Sequence, residues 1–207
     1  MISNSPIHIQ KFGNLLPLQC DVTNRSDLLA LVDTIKARHG YINLLINNAG
    51  IARNLYSHPL PSLDHSDSLS TGPFIPSIKA FQSVLWNTGS IEDFAETFAT
   101  NVTAVYYTTV AFLDLLHQGN VRQQLECLAT LASNPAMPRP PHWASQVISV
   151  SSSGSFRLDA KILSPSYTLS KNACTHLGKL LGNLLAPWGI RSNVLAPGVW
   201  PTGKLAI

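Results

Sequence analysis

Short, uniformly apolar runs alternate with stretches of helical periodicity along this chain, and that alternation restricts its fold more than any other feature. Residues 15–20 (LLPLQC), 43–47 (NLLIN), 146–151 (QVISVS) and 190–197 (IRSNVLAP) are too brief for stable helices. They lack polar alternation, the pattern of strands buried on both faces of a parallel sheet. Between the first two, Leu28, Leu31, Val32 and Ile35 recur at helical spacing. Asn24 or Ser26 can cap that helix, and Lys36, Arg38, His39 and Gly40 close it. Two longer helical segments follow. One covers about 91–117; the other follows Pro165 and carries Ala173, Leu177, Leu180, Leu181 and Leu184 on an apolar stripe that ends before Pro187. This order predicts an α/β fold with a doubly wound parallel sheet. Two stretches rich in proline, at about 53–89 and 119–143, are expected to be surface excursions from a single domain covering 1–207.

Composition excludes several function classes. Hydrophobic residues make up 45% of the 207 and charged residues 12%, as expected of a chain that buries a core. The net charge is +3 and no Lys/Arg run marks a nucleic-acid or membrane surface, so neither partner is expected. The most apolar stretch, 102–116, is interrupted by Thr108, Thr109 and Asp114 and is too short to span a bilayer. The opening MISNSPIHIQKF has no apolar segment behind a basic start, so no secretory signal is read and the cytoplasm is the expected location. Cys20, Cys127 and Cys174 are scattered and odd in number, and no HExxH occurs, so no disulfide framework or metal site is predicted.

Four segments carry candidate chemistry. Asn47-Asn48-Ala49-Gly50 directly follows a strand, where open α/β sheets bind ligands and small residues admit them close to the backbone. In Tyr167-Thr-Leu-Ser-Lys171 the phenol and the ammonium stand one helical turn apart. A nearby cation favours phenolate, which makes Tyr167 a candidate general acid/base. The serines of VISVSSSG end a strand, where a hydroxyl can hydrogen-bond a substrate oxygen. No GxSxG surrounds them, so a hydrolase nucleophile elbow is not supported. Asn101, in NVTAVYYTT, lies in a helical stretch and there marks a kink or a bound water. Taken singly, each has an ordinary structural explanation: a strand-to-loop turn, a solvated helix face, a serine-rich turn, a polar helix position.

Taken together they resemble the short-chain dehydrogenase/reductase family. CDVTN at 20–24 resembles the segment whose aspartate lies by the adenine ring, and NNAG resembles the central-strand motif. NVTAVYYTT resembles the helix with the active-site asparagine, VISVSSSGS the strand with the catalytic serine, and YTLSK the family's YxxxK. Pro197-Gly198-Val199-Trp200-Pro201-Thr202 resembles the cofactor-contacting PGxxxT. The resemblance implies a NAD(P)-dependent oxidoreductase that reduces a ketone or oxidises a secondary alcohol. It makes Tyr167 the acid/base, and Lys171 the residue that activates Tyr167 and holds the nicotinamide ribose. Ser152 then orients the substrate oxygen, with Ser151 and Ser153 left as alternatives, and Asn101 supports a water-linked proton path to Lys171. Asp21, Asn48, Val199 and Thr202 join Tyr167 and Lys171 as cofactor contacts. The expected partners are a small carbonyl or alcohol and a second copy of the chain, paired through helices near 103–117 and 167–186. NADP and NAD both remain open, with the family leaning to NADP(H).

The sequence departs from the family at both ends. None of its 12 glycines forms the TGxxxGxG turn that cradles the pyrophosphate, and it stops just past PGVWPT. The expected fold is therefore an incomplete Rossmann-like sheet, truncated at both ends, without the first βαβ unit, about 30 residues, and the C-terminal strand. Such a chain, expressed as written, is expected to show weak nucleotide affinity and no measurable ketone reduction. The rival readings are an inactive remnant and a nucleotide-sugar epimerase or dehydratase relative; NNAG and PGxxxT speak against the second.

Overall fold

The computed structural model describes residues 15–61, 77–138, 143–158 and 164–198. Three strands, β1 (Leu44–Asn47), β2 (Gln146–Val150) and β3 (Arg191–Leu195), pair in parallel in the order β1-β2-β3. Leu44 lies beside Gln146 and Ile46 beside Ile148, and on the other side of β2 Val147 meets Ser192 and Ser149 meets Val194. Register partners share a face of a sheet, so Asn47, Val147, Ser149, Ser192 and Val194 point one way, and Leu44, Ile46, Ile148 and Leu195 the other.

Helices cover the first of these faces. Val147 is buried with Leu116, Leu181, Leu185 and Ile190, and Asn47 Nδ2 donates to Thr109 Oγ1 at 3.1 Å. The opposite face is bare among the described residues: Leu44, Ile46 and Leu195 are 45%, 53% and 55% exposed. A sheet covered on one face agrees with the expectation of an incomplete fold. The run at 15–20 is also not a strand. Pro17 removes one ladder donor, and no described strand pairs with the segment.

The helices follow their local signals more closely. In α1 (Arg25–His39), Asn24 caps the start by accepting from Ser26 and Asp27 N–H, and Gly40 closes the end at φ +75°. Helix α2 (Ile78–Trp86) falls inside the first proline-rich stretch. The segment expected as one helix is broken. It comprises α3 (Ile91–Phe98), opened by a Ser90/Asp93 capping box, a π-helical turn (Ala99–Thr103), α4 (Ala104–Ala111) and α5 (Leu113–Ser133). Helix α5 therefore runs well into the second stretch read as an excursion, because its first proline, Pro135, lies beyond the helix. Gly119 lets α5 approach the Ile42 carbonyl, where a Cβ would collide.

Helix α6 (Pro165–Leu185) starts with proline in its first turn and with Ser164 Oγ accepting from Tyr167 N–H. Its buried face is Ser170, Cys174, Gly178, Leu181 and Leu185, whereas Leu180 and Leu184 of the expected stripe are exposed. The reason is Gly178, which brings the α6 backbone against Val194 of β3 with no space for a side chain. Gly178→Ala forces α6 off the sheet, and overpacking of this kind should destabilise the fold by about 1–3 kcal/mol. Chemical denaturation of the variant against the parent measures it; an unchanged midpoint would mean that α6 does not sit this close.

Candidate functional site

The loops that leave the carboxyl ends of all three strands converge at one edge of the sheet, the usual position for ligands in such folds. Backbone bonds join two of these loops: Ser151 N–H donates to Leu195 O at 2.7 Å and Ser153 N–H to Pro197 O at 2.8 Å. The first two turns of α6 lie over them. Between them is a cavity of about 240 Å³, its walls formed by Asn48 and Gly50 after β1, Ser151 and Ser152 after β2, Pro197 and Gly198 after β3, and Tyr167 and Lys171 of α6. Four of the expected site residues, Asn48, Ser152, Tyr167 and Lys171, meet there.

Gly50 makes this packing possible. A Cβ on it would stand 3.2 Å from both Asn101 Oδ1 and Lys171 Nζ. Lys171 is only 4% exposed, its Nζ donates to Val150 O at 2.8 Å, and it stands 5.8 Å from the centre of the Tyr167 ring. No carboxylate pairs with it among the described residues. Burial therefore pushes its amine below the ordinary lysine range, with the neighbouring Cys174 opposing weakly.

The three candidate serines separate by what their hydroxyls do. Ser151 is buried, and its Oγ donates to Lys171 O at 2.8 Å and lies 2.6 Å from Thr175 Oγ1, a bond between β2 and α6. Ser153 is exposed. Ser152 is half-buried on the cavity wall, its Oγ accepting only from Gly154 N–H at 3.1 Å, which leaves its proton free to donate.

Asn101 sits fully buried in the π-helical turn. Its Oδ1 accepts from Ile51 N–H at 2.9 Å, and its Nδ2 donates to Ile51 O and to Ser170 Oγ, each at 2.9 Å. Ser170 Oγ in turn donates to Tyr167 O at 2.8 Å. One amide thus ties the loop after β1 to the helix that carries the tyrosine. A second tie lies at the start of α6, where Ser164 and Ser166 hydroxyls both donate to Arg53 O. Sequence reasoning missed Ser164, Ser166 and Ser170; the available signal was three serines within the seven residues 164–170 around Tyr167.

The remaining expected contacts lie elsewhere. Asp21 is exposed and outside the cavity; its carboxylate accepts from Thr23 N–H and Oγ1 at 2.9 and 2.7 Å, bonds that hold it below the usual carboxylate range. Val199 and Thr202 lie outside the described residues. Asn48 also borders a second, apolar trough of about 320 Å³ between α1, β1 and α4, lined by Leu31, Ile46 and Val105. Among the described residues no helix is long and apolar enough to cross a membrane.

Asn101→Ala removes the partner of both backbone groups of the half-buried Ile51, at up to about 1–3 kcal/mol for each group that water cannot reach. It should lower stability and speed exchange of the Ile51 amide proton; unchanged exchange would mean the tie is not made. Lys171 gives a pH test. An amine with a depressed folded-state pKa carries its full burial penalty when the pH is below that value. The penalty fades as pH rises towards the unfolded lysine value, near 10.4. Lys171→Met should therefore gain most in stability relative to the parent at low pH, with the difference shrinking at alkaline pH. Melting temperatures across that range check it, and a pH-independent difference would contradict it.

Comparison with known proteins agrees with this fold. The family described as short chain dehydrogenase matches residues 6–73. The short-chain dehydrogenase/reductase VdtF of Byssochlamys spectabilis is 42% identical over 198 residues, covering 93% of this chain and 60% of that protein. The short-chain dehydrogenase/reductase SAT3 of Stachybotrys chartarum is 38% identical over 190 residues, covering 92% and 64%. The chain spans about three fifths of the length of these relatives. Among solved structures, the NADPH-bound carbonyl reductase from chicken fatty liver superposes with a TM-score of 0.61 at 22% identity, over 91% of this chain and 59% of that one. The 3-ketoacyl-(acyl-carrier-protein) reductase of Brucella melitensis complexed with NADH gives 0.59 at 19%, over 88% and 55%. Those two likenesses establish a shared fold, a Rossmann-like α/β sheet, while the sequence relatives show what the chain is similar to over most of its length: proteins of the short-chain dehydrogenase/reductase family.

Proposed function

We propose that this chain carries the proton-transfer site of a NAD(P)-dependent oxidoreductase that interconverts a ketone and a secondary alcohol. The observation that supports it most is the cavity shared by Ser152, Tyr167 and Lys171 at the carboxyl edge of the sheet. The residues present suit the nicotinamide end of such a cofactor: Gly50 and Gly198 leave backbone open to it, and Lys171 offers buried donors without a competing carboxylate. When bound, the cofactor supplies the hydride. NADP(H) is the favoured form, with NAD(H) as the alternative.

Each residue then has a distinct task. The Tyr167 hydroxyl gives its proton to the carbonyl oxygen during reduction and takes one from the alcohol in reverse. Ser152 donates a hydrogen bond to that same oxygen and so stabilises the charge that develops on it. Lys171 holds the ribose and favours the tyrosinate that reduction leaves behind. Asn101 supports a water-linked path that returns a proton to Lys171. The active protein is proposed to be a homo-oligomer; the exposed Tyr106 and Val110 on α4 and Leu169, Leu180 and Leu184 on α6 offer apolar surface for it.

In a protein of the relatives' full length that carries this site, consumption of NADPH or NADH with a panel of ketones, and their formation from NADP+ or NAD+ with secondary alcohols, tests the reading. Tyr167→Phe should lower turnover by roughly 10²–10⁴-fold, the usual contribution of a general acid/base. Ser152→Ala should lower kcat while leaving cofactor affinity intact. A Tyr167→Phe protein with parental turnover would sink the proposal.

A further inference from the structure

We propose that Asn54 is a positioning residue for the proton-transfer site: by fixing the carbonyl of the residue before it, Asn54 sets the first turn of α6 and so the place of Tyr167. The inference rests on the reading of Tyr167 as the acid/base, and it names a residue outside the cavity wall on which that reading depends.

Three observations support it. Alone among the described non-glycine residues, Asn54 has a positive φ, +50°. Asparagine tolerates this left-handed region better than most residues do, yet a residue held there marks a constraint from its surroundings. Those surroundings are specific. Asn54 is 7% exposed, and its Nδ2 donates to Thr88 O at 3.1 Å and to Ser90 O at 3.3 Å, across the turn that enters α3. A Cβ on Gly89, the residue between those two, would collide with the same amide. Its Oδ1 is buried and meets no donor among the described residues, so the two donor bonds are what hold the side chain. On the other side, Arg53 O accepts from Ser164 Oγ and from Ser166 Oγ, and Ser164 Oγ itself accepts from Tyr167 N–H at 3.1 Å.

The planar peptide between Arg53 and Asn54 joins these two sets of bonds. The φ torsion of Asn54 is the rotation that turns that plane relative to the Asn54 side chain. With the side chain fixed to the Thr88–Ser90 turn, the plane cannot swing, and Arg53 O stays aimed at the two serines. The Arg53 guanidinium steadies the same dipeptide by pairing with Glu96 of α3 at 3.1 Å, an exposed pair that contributes little by itself. Ser164 is thereby held as the cap of α6, and the placement of Tyr167 follows. Lys171, one turn further on, is held separately. Its carbonyl accepts from Ser151 Oγ at 2.8 Å and Thr175 Oγ1 at 3.0 Å, and its Nζ donates to Val150 O. Loss of the Asn54 amide should therefore displace the tyrosine and spare the lysine.

Amide hydrogen exchange in the 207-residue chain tests the coupling without any turnover. Asn54→Gly keeps the left-handed backbone accessible and removes both donors; Asn54→Asp keeps the shape and puts an acceptor where the donors were. In either variant Tyr167 N–H should exchange about fivefold faster, the effect of losing one ordinary hydrogen bond. In a Ser164→Ala background that N–H has already lost its acceptor, so adding Asn54→Gly should leave its exchange within about twofold of Ser164→Ala alone. Equal acceleration in both backgrounds, no acceleration in the parent, or loss of the folded state in both Asn54 variants would make Asn54 a merely structural residue and overturn the proposal. In a protein of the relatives' full length that carries this site, Asn54→Gly should lower kcat about tenfold or more while KM for the nucleotide holds. A parental kcat there removes this inference alone, whereas a full-length parent that turns over neither nucleotide removes the oxidoreductase reading and leaves the exchange result standing.

Discussion

The fully buried amide of Asn101 is the joint on which the candidate site depends. It takes up both backbone groups of Ile51 and a hydroxyl of α6, and so fixes the loop after β1 against the helix that carries Tyr167 and Lys171. An ordinary α-helical turn would engage that stretch of backbone in its own ladder. The π-helical turn at 99–103 instead widens the helix where the amide must reach sideways, a deviation typical of functional positions. The close approach of Lys171 Nζ to Gly50 follows, because the loop cannot withdraw. Ser164 and Ser166 add a second hold on Arg53 O, so residues 51–53 are anchored at both ends.

Local chemistry was legible wherever it was self-contained. Asn24 and Gly40 announced the ends of α1, Pro165 announced the start of α6, and three of the four apolar runs became paired strands. The juxtaposition of Tyr167, Lys171 and a strand-end serine was readable because i,i+4 spacing and strand polarity both act over short range. Which of the three serines faces the cavity was not. That depends on a twist of the chain at 151–153 that turns Ser151 to Thr175 and leaves Ser152 on the wall.

What stayed hidden was set by distant neighbours. The run at 15–20 has strand composition, but a strand exists only by virtue of a ladder partner. Periodicity put Leu180 and Leu184 on the buried stripe of α6, whereas one glycine contact with Val194 turns the helix so that Cys174, Leu181 and Leu185 go inside. Proline content likewise misjudged 119–133: the prolines follow α5 without entering it, and composition averaged over a window cannot tell the two apart.

The order β1-β2-β3 has a consequence for how the site comes together in time. Gln146 and Arg191 pair across 45 positions (191 − 146), whereas Leu44 and Gln146 pair across 102 (146 − 44). Loop-closure entropy grows only logarithmically, so the longer closure costs about 0.7 kcal/mol more. Folding speed is more sensitive than stability to such sequence separation. The β2–α6–β3 unit holds Ser152, Tyr167 and Lys171 and is the more local of the two. The strand that brings Asn48 and Gly50 has the longer search, so chain topology favours assembling the proton-handling wall of the cavity before its floor.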